Sequence, residues 1–348
     1  MRNAFGRLFT TRARALATVA AACALIAVTY ATAIVMPAVG EPPAVRKPAD
    51  ASPTWRFGFV GDTQLADDRL EPLMRKFAEH GVEFVLHLGD MVDESTSDLE
   101  WDRLVAAALK HRIRLMPAVG NHDVRRDYDD DGTIRFRQYF PDLPNTFYHF
   151  RHRGVNFLML NSERSLAPGT EQASFLRWHL DKHPGTTIVC LHRPTFTVGD
   201  RDVASMMLRR LWLHGAVVGT DVVAVLAGHN HYYDRTKPLD GITYVTSGGG
   251  GGPRREAAES EHFTAALSSG KMHYGIARVT DSQIVCEALA MDGERLDEFA
   301  LDLRPTSRKL GGYHNRRSME LPPLVELPQF SRPADGERMA GLRMPRPW

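Results

Sequence analysis

Five β-rich runs in this chain end on side chains with oxygen or imidazole lone pairs, and no other feature limits its fold so strongly. Trp55–Val60 leads into Gly61-Asp62, Val82–Leu88 into Gly89-Asp90, and Ile113–Val119 into Gly120-Asn121-His122-Asp123. Thr187–Leu191 leads into His192, and Val222–Ala227 into Gly228-His229-Asn230-His231. Helix-period stretches separate the first three runs. Leu70, Leu73, Met74 and Phe77 share a face within 68–80, and Leu99, Leu104, Val105 and Leu109 recur within 98–110. A β-α-β-α-β order predicts neighbouring parallel strands with helices laid over the sheet. In such sheets ligands collect beyond the carboxyl ends of the strands, so the five termini predict one shared site. The glycines before four of them predict sharp turns and close backbone approach.

The rest of the body reads as strands at Thr146–Arg151 and Val155–Asn161, joined by a hairpin at Arg153-Gly154, then a helix over 170–183. Val203–His214 has helical spacing, and Gly241–Thr246, His273–Val279 and Ile284–Ala290 read as strands with no helices between them. A βα part followed by a β-rich part predicts an α/β fold of two sheets packed together with helices outside. The body domain is placed at 55–303. Four arginines (Arg2, Arg7, Arg12, Arg14) precede 26 uncharged residues, Ala15–Gly40. As a helix these would reach ~39 Å, enough for a ~30 Å hydrocarbon core. Residues 1–40 therefore read as a signal anchor, or as a signal peptide cut near Ala31-Thr32-Ala33. Either leaves the arginines cytoplasmic and the remainder extracytoplasmic, the anchor reading tying the chain to a membrane. Residues 41–54 read as a Pro-rich linker, and 304–348, with Pro and Arg but no period, as an irregular tail.

Charge narrows the partners. Residues 41–300 carry 30 basic against 37 acidic groups, whereas a nucleic-acid-binding body is usually basic, so no nucleic acid is expected. Three cysteines cannot build a disulfide framework. Cys23 lies in the leader, which leaves Cys190–Cys286 as the one conceivable bridge; Cys190, inside a strand, reads as a packing residue.

Carboxylate, amide and imidazole without thiolate suit Mn, Fe, Zn or Ni and exclude a structural cysteine–zinc site. Gly61-Asp62-Thr63-Gln64, Gly89-Asp90-Met91-Val92-Asp93, Gly120-Asn121-His122-Asp123, Leu191-His192-Arg193-Pro194 and Gly228-His229-Asn230-His231 resemble, in that order, the motifs of the calcineurin-like metallophosphoesterases. Within that superfamily the chain looks most similar to the purple acid phosphatase-like branch, through His-Arg-Pro, Tyr233, Arg235 and the glycine run 248–252. The resemblance covers about 55–290. It implies a four-layer α/β/β/α sandwich of two mixed sheets and a pair of divalent or trivalent ions (Mn, Fe or Zn). Asp90 would bridge the ions, Asp62 and His231 would hold the first, and Asn121, His192 and His229 the second. It also implies hydrolysis of a small phosphorylated substrate by a metal-bridging hydroxide. His122 would protonate the leaving group, a step worth ~10²–10⁴-fold. Two divalent ions against two carboxylates leave a net positive centre that attracts phosphate and acidifies a bridging water.

Two positions depart from that pattern. Gln64 stands where the family usually has histidine; its oxygen can coordinate weakly or hold a water. Asp93 stands where the purple branch has tyrosine, so no charge-transfer colour is expected, and Asp93 either coordinates or orients a ligand. If Gln64 disables the centre, the chain would bind phosphorylated ligands without turnover. Monoester and diester hydrolysis both stay open. Asp127-Tyr128-Asp129-Asp130-Asp131-Gly132 matches the start of a calcium loop, but Gln138 occupies position twelve, which favours a solvated acidic turn. Arg125 and Arg126 could clamp a substrate phosphate or pair with those aspartates. His87 reads as a core residue; His149, His152, His179, His183 and His214 read as surface residues. The glycine run reads equally as a flexible loop or as a backbone wall beside the substrate.

Overall fold

The computed structural model describes residues 54–124, 132–199, 203–259 and 264–304, together with the backbone of 325–326. The leader, residues 41–53 of the linker and nearly all of the tail lie outside these. Among the described residues no helix is long and apolar enough to cross a membrane.

The βαβαβ expectation holds. Strand β1 (Trp55–Val60), helix α1 (Leu70–Glu79), β2 (Val85–His87), α2 (Asp98–Lys110) and β3 (Leu115–Pro117) follow in order. β1 pairs parallel with β2, and β2 with β3. Helix α1 buries Leu70, Leu73, Met74 and Phe77, the face read from spacing; each fully buried large side chain contributes ~1.5–3 kcal/mol. Helix α2 starts where Ser97 accepts the Glu100 N–H.

After α3 (Ile134–Tyr139) come β4 (Tyr148–His152), β5 (Val155–Met159), α4 (Glu171–Lys182), β6 (Thr187–Cys190), α5 (Val203–Arg209) and β7 (Val222–Ala227). Then β8 (Tyr233–Thr236), β9 (Thr243–Ser247), β10 (Thr264–Ser268), β11 (His273–Val279), β12 (Gln283–Ala290) and β13 (Arg295–Asp302) follow, with β14 (Val325–Glu326) from the tail beside β4. The hairpin at Arg153-Gly154 has φ of 43° and 88° and joins an antiparallel pair, as the sequence predicts.

One sheet has the order β13-β12-β11-β1-β2-β3 and the other β10-β8-β9-β7-β6-β5-β4-β14. Phe57, Phe59, Phe84, Phe150, Phe157 and Ile188 fill the space between them. Helices α1 and α2 cover the outer face of the first sheet, and α4 with the segment after α5 covers the second. This is the expected α/β/β/α sandwich. Cys190 and Cys286 are free and buried in its centre.

Several local expectations fail. Strands β8, β10 and β13 and helix α3 carry no apolar period. In β8 the buried charged residues find partners outside the strand: Asp234 Oδ2 accepts the Val198 N–H, and Arg235 pairs bidentately with Asp297 on β13 at 2.6 and 2.9 Å. Helix α5 continues through a π turn at Arg210–His214 rather than a uniform α-helix. His149 and His179 are not surface residues; they are 2% and 1% exposed, while His152, His183 and His214 are half-buried. His179 shares its helix face with Phe175, Leu176 and Leu180, which dock on the sheet.

Candidate metal centre

The ends of β1, β2, β3, β6 and β7 meet at one edge of the sandwich, bridging both sheets. Three of the residues there adopt left-handed backbone conformations: Asp62 at φ 62°, Asp90 at 53° and His229 at 69°. Such conformations cost a non-glycine residue about 1–3 kcal/mol and persist only when their surroundings enforce them. Hydrogen bonds do so here. The Asp62 N–H donates to Gly89 O at 2.9 Å, the His229 N–H to Asp62 Oδ2 at 2.7 Å, and the Asp90 N–H to Asp123 Oδ2 at 2.9 Å. Of the four glycines expected to make the turns, Gly89 alone has positive φ. The others serve close approach. A Cβ on Gly120 would sit 2.2 Å from Asp90 N and 2.3 Å from its Oδ1.

Asp123 is the residue whose part the sequence does not reveal. Fully buried, its carboxylate accepts the N–H groups of Gly120, Asp90, Met91 and, at 3.4 Å, Val92. It thereby ties the turn after β2 to the turn after β3. Burial and then the charge of Asp90 push its pKa up to about 7. The Gly-Asn-His-Asp run contains the signal, but a side chain that binds only backbone leaves no periodic trace.

His192 is the hub of the first group of donors. Its Nδ1 lies 2.9 Å from Leu88 O, so the proton sits on Nδ1 and the Nε2 lone pair faces inward. Around Nε2 stand Asn121 Oδ1, Asp90 Oδ2 and His229 Nδ1, each at 3.2 Å. In the second group His231 is oriented the same way: its Nδ1 meets Pro253 O at 2.6 Å, and its Nε2 faces Asp62 Oδ1 at 3.3 Å. That carboxylate oxygen is buried and has no hydrogen-bond donor. The Gln64 amide nitrogen is satisfied when Nε2 donates to the carbonyls of Asp90 (2.9 Å) and Asp62 (3.2 Å). Its Oε1 then turns toward Asp90 Oδ2 and His231 Nε2, the atoms its inward arm meets at 3.5 and 3.3 Å. Asp90 Oδ2 belongs to both groups.

Lone-pair atoms ~3.3 Å apart without hydrogens between them repel unless a cation lies among them, and that spacing is what ligands ~2.0–2.1 Å from one ion adopt. The residues therefore fit metal ions: Asp62, Gln64, Asp90 and His231 could hold one, and Asp90, Asn121, His192 and His229 another. The electrostatics agree. Burial alone would lower the His192 pKa, yet Asp90, then Asp62 and Glu163, raise it to about 10. Burial would raise Asp90, but His192, with the His122 N–H, holds it well below the usual carboxylate range. The pocket thus binds positive charge, as a proton on His192 or as an ion in its place. Burial, then His192 and Arg193, push His229 down, which keeps it neutral and ligand-ready.

His122 stands at the rim. Its backbone N–H donates to Asp90 Oδ1 at 2.8 Å, its Nδ1 lies 2.8 Å from Asp93 O and 3.3 Å from Asp93 Oδ1, and its ring is 39% exposed. Asp93 thus orients His122 from beside the metal groups. Arg193 is held by Glu163 at 2.6 Å. Tyr233 and Arg235 both bind Asp297 and lie away from the centre. The glycine run is a wall: Gly250 N–H donates to Gly61 O and Gly252 N–H to Asp62 O, both at 2.9 Å. Arg125, Arg126 and Asp127–Asp131 lie outside the described residues.

The sequence profile of the calcineurin-like phosphoesterases matches residues 56–233, just over half of the chain. A phosphoenolpyruvate phosphatase from Allium cepa is 24% identical over 257 residues, 67% of this chain and 52% of that protein. A purple acid phosphatase from yellow lupin (Lupinus luteus) seeds has TM-score 0.62 at 19% identity, covering 72% of this chain and 54% of that one. A dimetal phosphatase from Danio rerio has TM-score 0.52 at 14% identity, covering 72% of this chain and 99% of that one. The likeness to these solved structures is one of fold. The chain spans about half the length of the Allium and lupin proteins.

Proposed function

The chain belongs to the calcineurin-like phosphoesterase family, and from that premise we propose that it hydrolyses small phosphate esters at a two-ion centre. The observation that carries this is the ring of Asn121 Oδ1, Asp90 Oδ2 and His229 Nδ1 at 3.2 Å from a His192 nitrogen whose other nitrogen is tied to Leu88 O. A pair of divalent ions held there would neutralise phosphoryl oxygens and acidify a water for attack on phosphorus. The protein's own part is positional. Asp90, pinned through Oδ1 by the His122 N–H, keeps Oδ2 common to both donor groups. With Nδ1 engaged by Asp93, His122 presents Nε2 outward and donates a proton to the leaving oxygen. Arg69, Arg254 and Lys271 line a hollow beside His231. Arg69 and Lys271 are paired with Asp68 and Glu294, and Arg254 adds a further cation, which favours a doubly anionic monoester over a diester. Export is part of the reading and rests on the arginines followed by the uncharged stretch at 15–40. The alternative, binding without turnover, rests on Gln64; an amide oxygen turned into the centre still supplies a donor there.

The test is turnover of p-nitrophenyl phosphate and its bis-ester by the full chain, supplied in turn with Mn, Zn, Fe or Mg. We expect metal-dependent hydrolysis, faster on the monoester, and its loss in Asn121→Ala and His192→Ala with the circular dichroism spectrum unchanged. An inert protein with every metal supports binding without turnover, and full activity in both variants overturns the ligand assignment.

A further inference from the structure

On the outer face of the second sheet, remote in sequence from every residue of that centre except His192, three histidines converge. His149 projects from β4. His179 and His183 stand four residues apart at the end of α4, hence on one helix face. The ring centroids lie 4.5 Å (149–179), 4.8 Å (149–183) and 5.2 Å (179–183) apart, and one ring nitrogen of each is within 4.8 Å of the others. Both nitrogens of His179, Nδ1 of His149 and Nε2 of His183 are buried with no hydrogen-bond partner. Each unpaired buried polar atom costs ~1–3 kcal/mol, which an apolar residue of similar volume would avoid.

We propose that His149, His179 and His183 form a second metal site, a three-imidazole site for a zinc-class divalent ion that pins the last turn of α4 to β4. Asn156 sets up the first ligand. Its Nδ2 donates to His183 O at 3.1 Å and Gly185 O at 3.5 Å, so its Oδ1 accepts from His149 Nε2 at 3.3 Å, leaving the Nδ1 lone pair free. Burial keeps all three rings neutral at pH 7, His149 at about 4 and His179 at about 3, with His183 also lowered. The carbonyl end of a helix favours a cation, while exposed Arg151 opposes it. Three imidazoles without carboxylate exclude calcium and magnesium and leave a fourth position for water. Nitrogens around a tetrahedral zinc lie ~3.4 Å apart. The rings of His149 and His183 stack at 18°, so binding one ion requires them to turn until their nitrogens converge to that spacing.

The experiment counts Zn²⁺ bound to the full chain after chelation and redialysis, in a background (Asp62→Ala with His192→Ala) that disables the other centre. The background is expected to retain one equivalent and to gain roughly 5 °C in unfolding midpoint with zinc. His179→Leu added to it is expected to fold, to bind no zinc and to lose that gain. Should His179→Leu fail to fold, His183→Asn, half-exposed at the helix end, carries the same expectation. A background that retains no zinc, or a histidine variant that retains it fully, overturns the proposal.

Discussion

Gln64 stands where the motif that the sequence resembles has histidine. With Nε2 donating to two carbonyls, at 2.9 and 3.2 Å, its oxygen would face an ion held there. Gln64→Ala removes one neutral donor and leaves His192, Asn121 and His229 untouched. Bound metal should fall from two ions per chain toward one, with one affinity weaker by about 10–100-fold, the usual cost of losing a supporting group. Equilibrium dialysis with elemental analysis measures this, and two ions held as tightly as in the parent would remove Gln64 from the centre. At this scale Asp62, Asp90, Asn121, His192, His229 and His231 were legible because each follows a strand end. Asp123 was not, since it binds only backbone N–H groups. Nor were His149 and His179, whose burial depends on how α4 meets β4 rather than on either segment's own pattern.

Elements with apolar runs were read nearly to the residue: β1, α2, β7 and β11 appear where spacing put them. Elements whose partners lie elsewhere in the chain were not. Edge strand β13 is half-exposed and charged, and β8 buries an aspartate and an arginine whose partners lie on β13 and in the turn after β6. The glycine run after β9 lay between these cases, and packing settles it. A Cβ on Gly248 would meet Asn230 O at 2.2 Å and Asp62 Oδ2 at 2.7 Å. Neither can yield cheaply, because Asn230 lies in the turn after β7 and Asp62 already holds the His229 N–H. Gly248→Ala should therefore lower kcat at least 10-fold by displacing Asp62, with a smaller effect on overall stability. By contrast Gly154→Ala, whose Cβ would meet nothing within 4 Å, acts only through its φ of 88° and should leave kcat unchanged. Equal activity losses in the two variants would remove the wall from the site.

Across the whole molecule, the sandwich and the site at its edge follow from the order of strands and helices, whereas its pH response follows from burial that no local pattern encodes. Burial lowers His87 to about 3, His149 to about 4, His179 to about 3 and His273 to about 4, and pushes His229 down as well. His80, His152, His183 and His214 move the same way. These groups stay neutral when folded and take up protons near pH 6.5 when unfolded. Their contribution is complete above that pH and is lost as pH falls toward 4. Three buried carboxyls work in the opposite sense: Asp234, raised to about 6, Asp123, raised to about 7, and Asp62 bind protons earlier in the folded state. Five strongly lowered histidines against three raised carboxyls leave the unfolded chain about two protons richer near pH 5, a slope of roughly 2.7 kcal/mol per pH unit. Urea unfolding in chelator should show stability falling from pH 6 to 4.5, below the range in which His192, raised to about 10, holds a proton that the unfolded chain lacks. His273→Asn keeps a donor for Lys271 O, which Nδ1 meets at 3.1 Å, but cannot titrate. That variant should lose about one proton of the dependence, roughly 1.4 kcal/mol per unit near pH 5. A parent whose stability is flat or rises from pH 6 toward 4.5 would mean that the carboxyls outweigh the histidines.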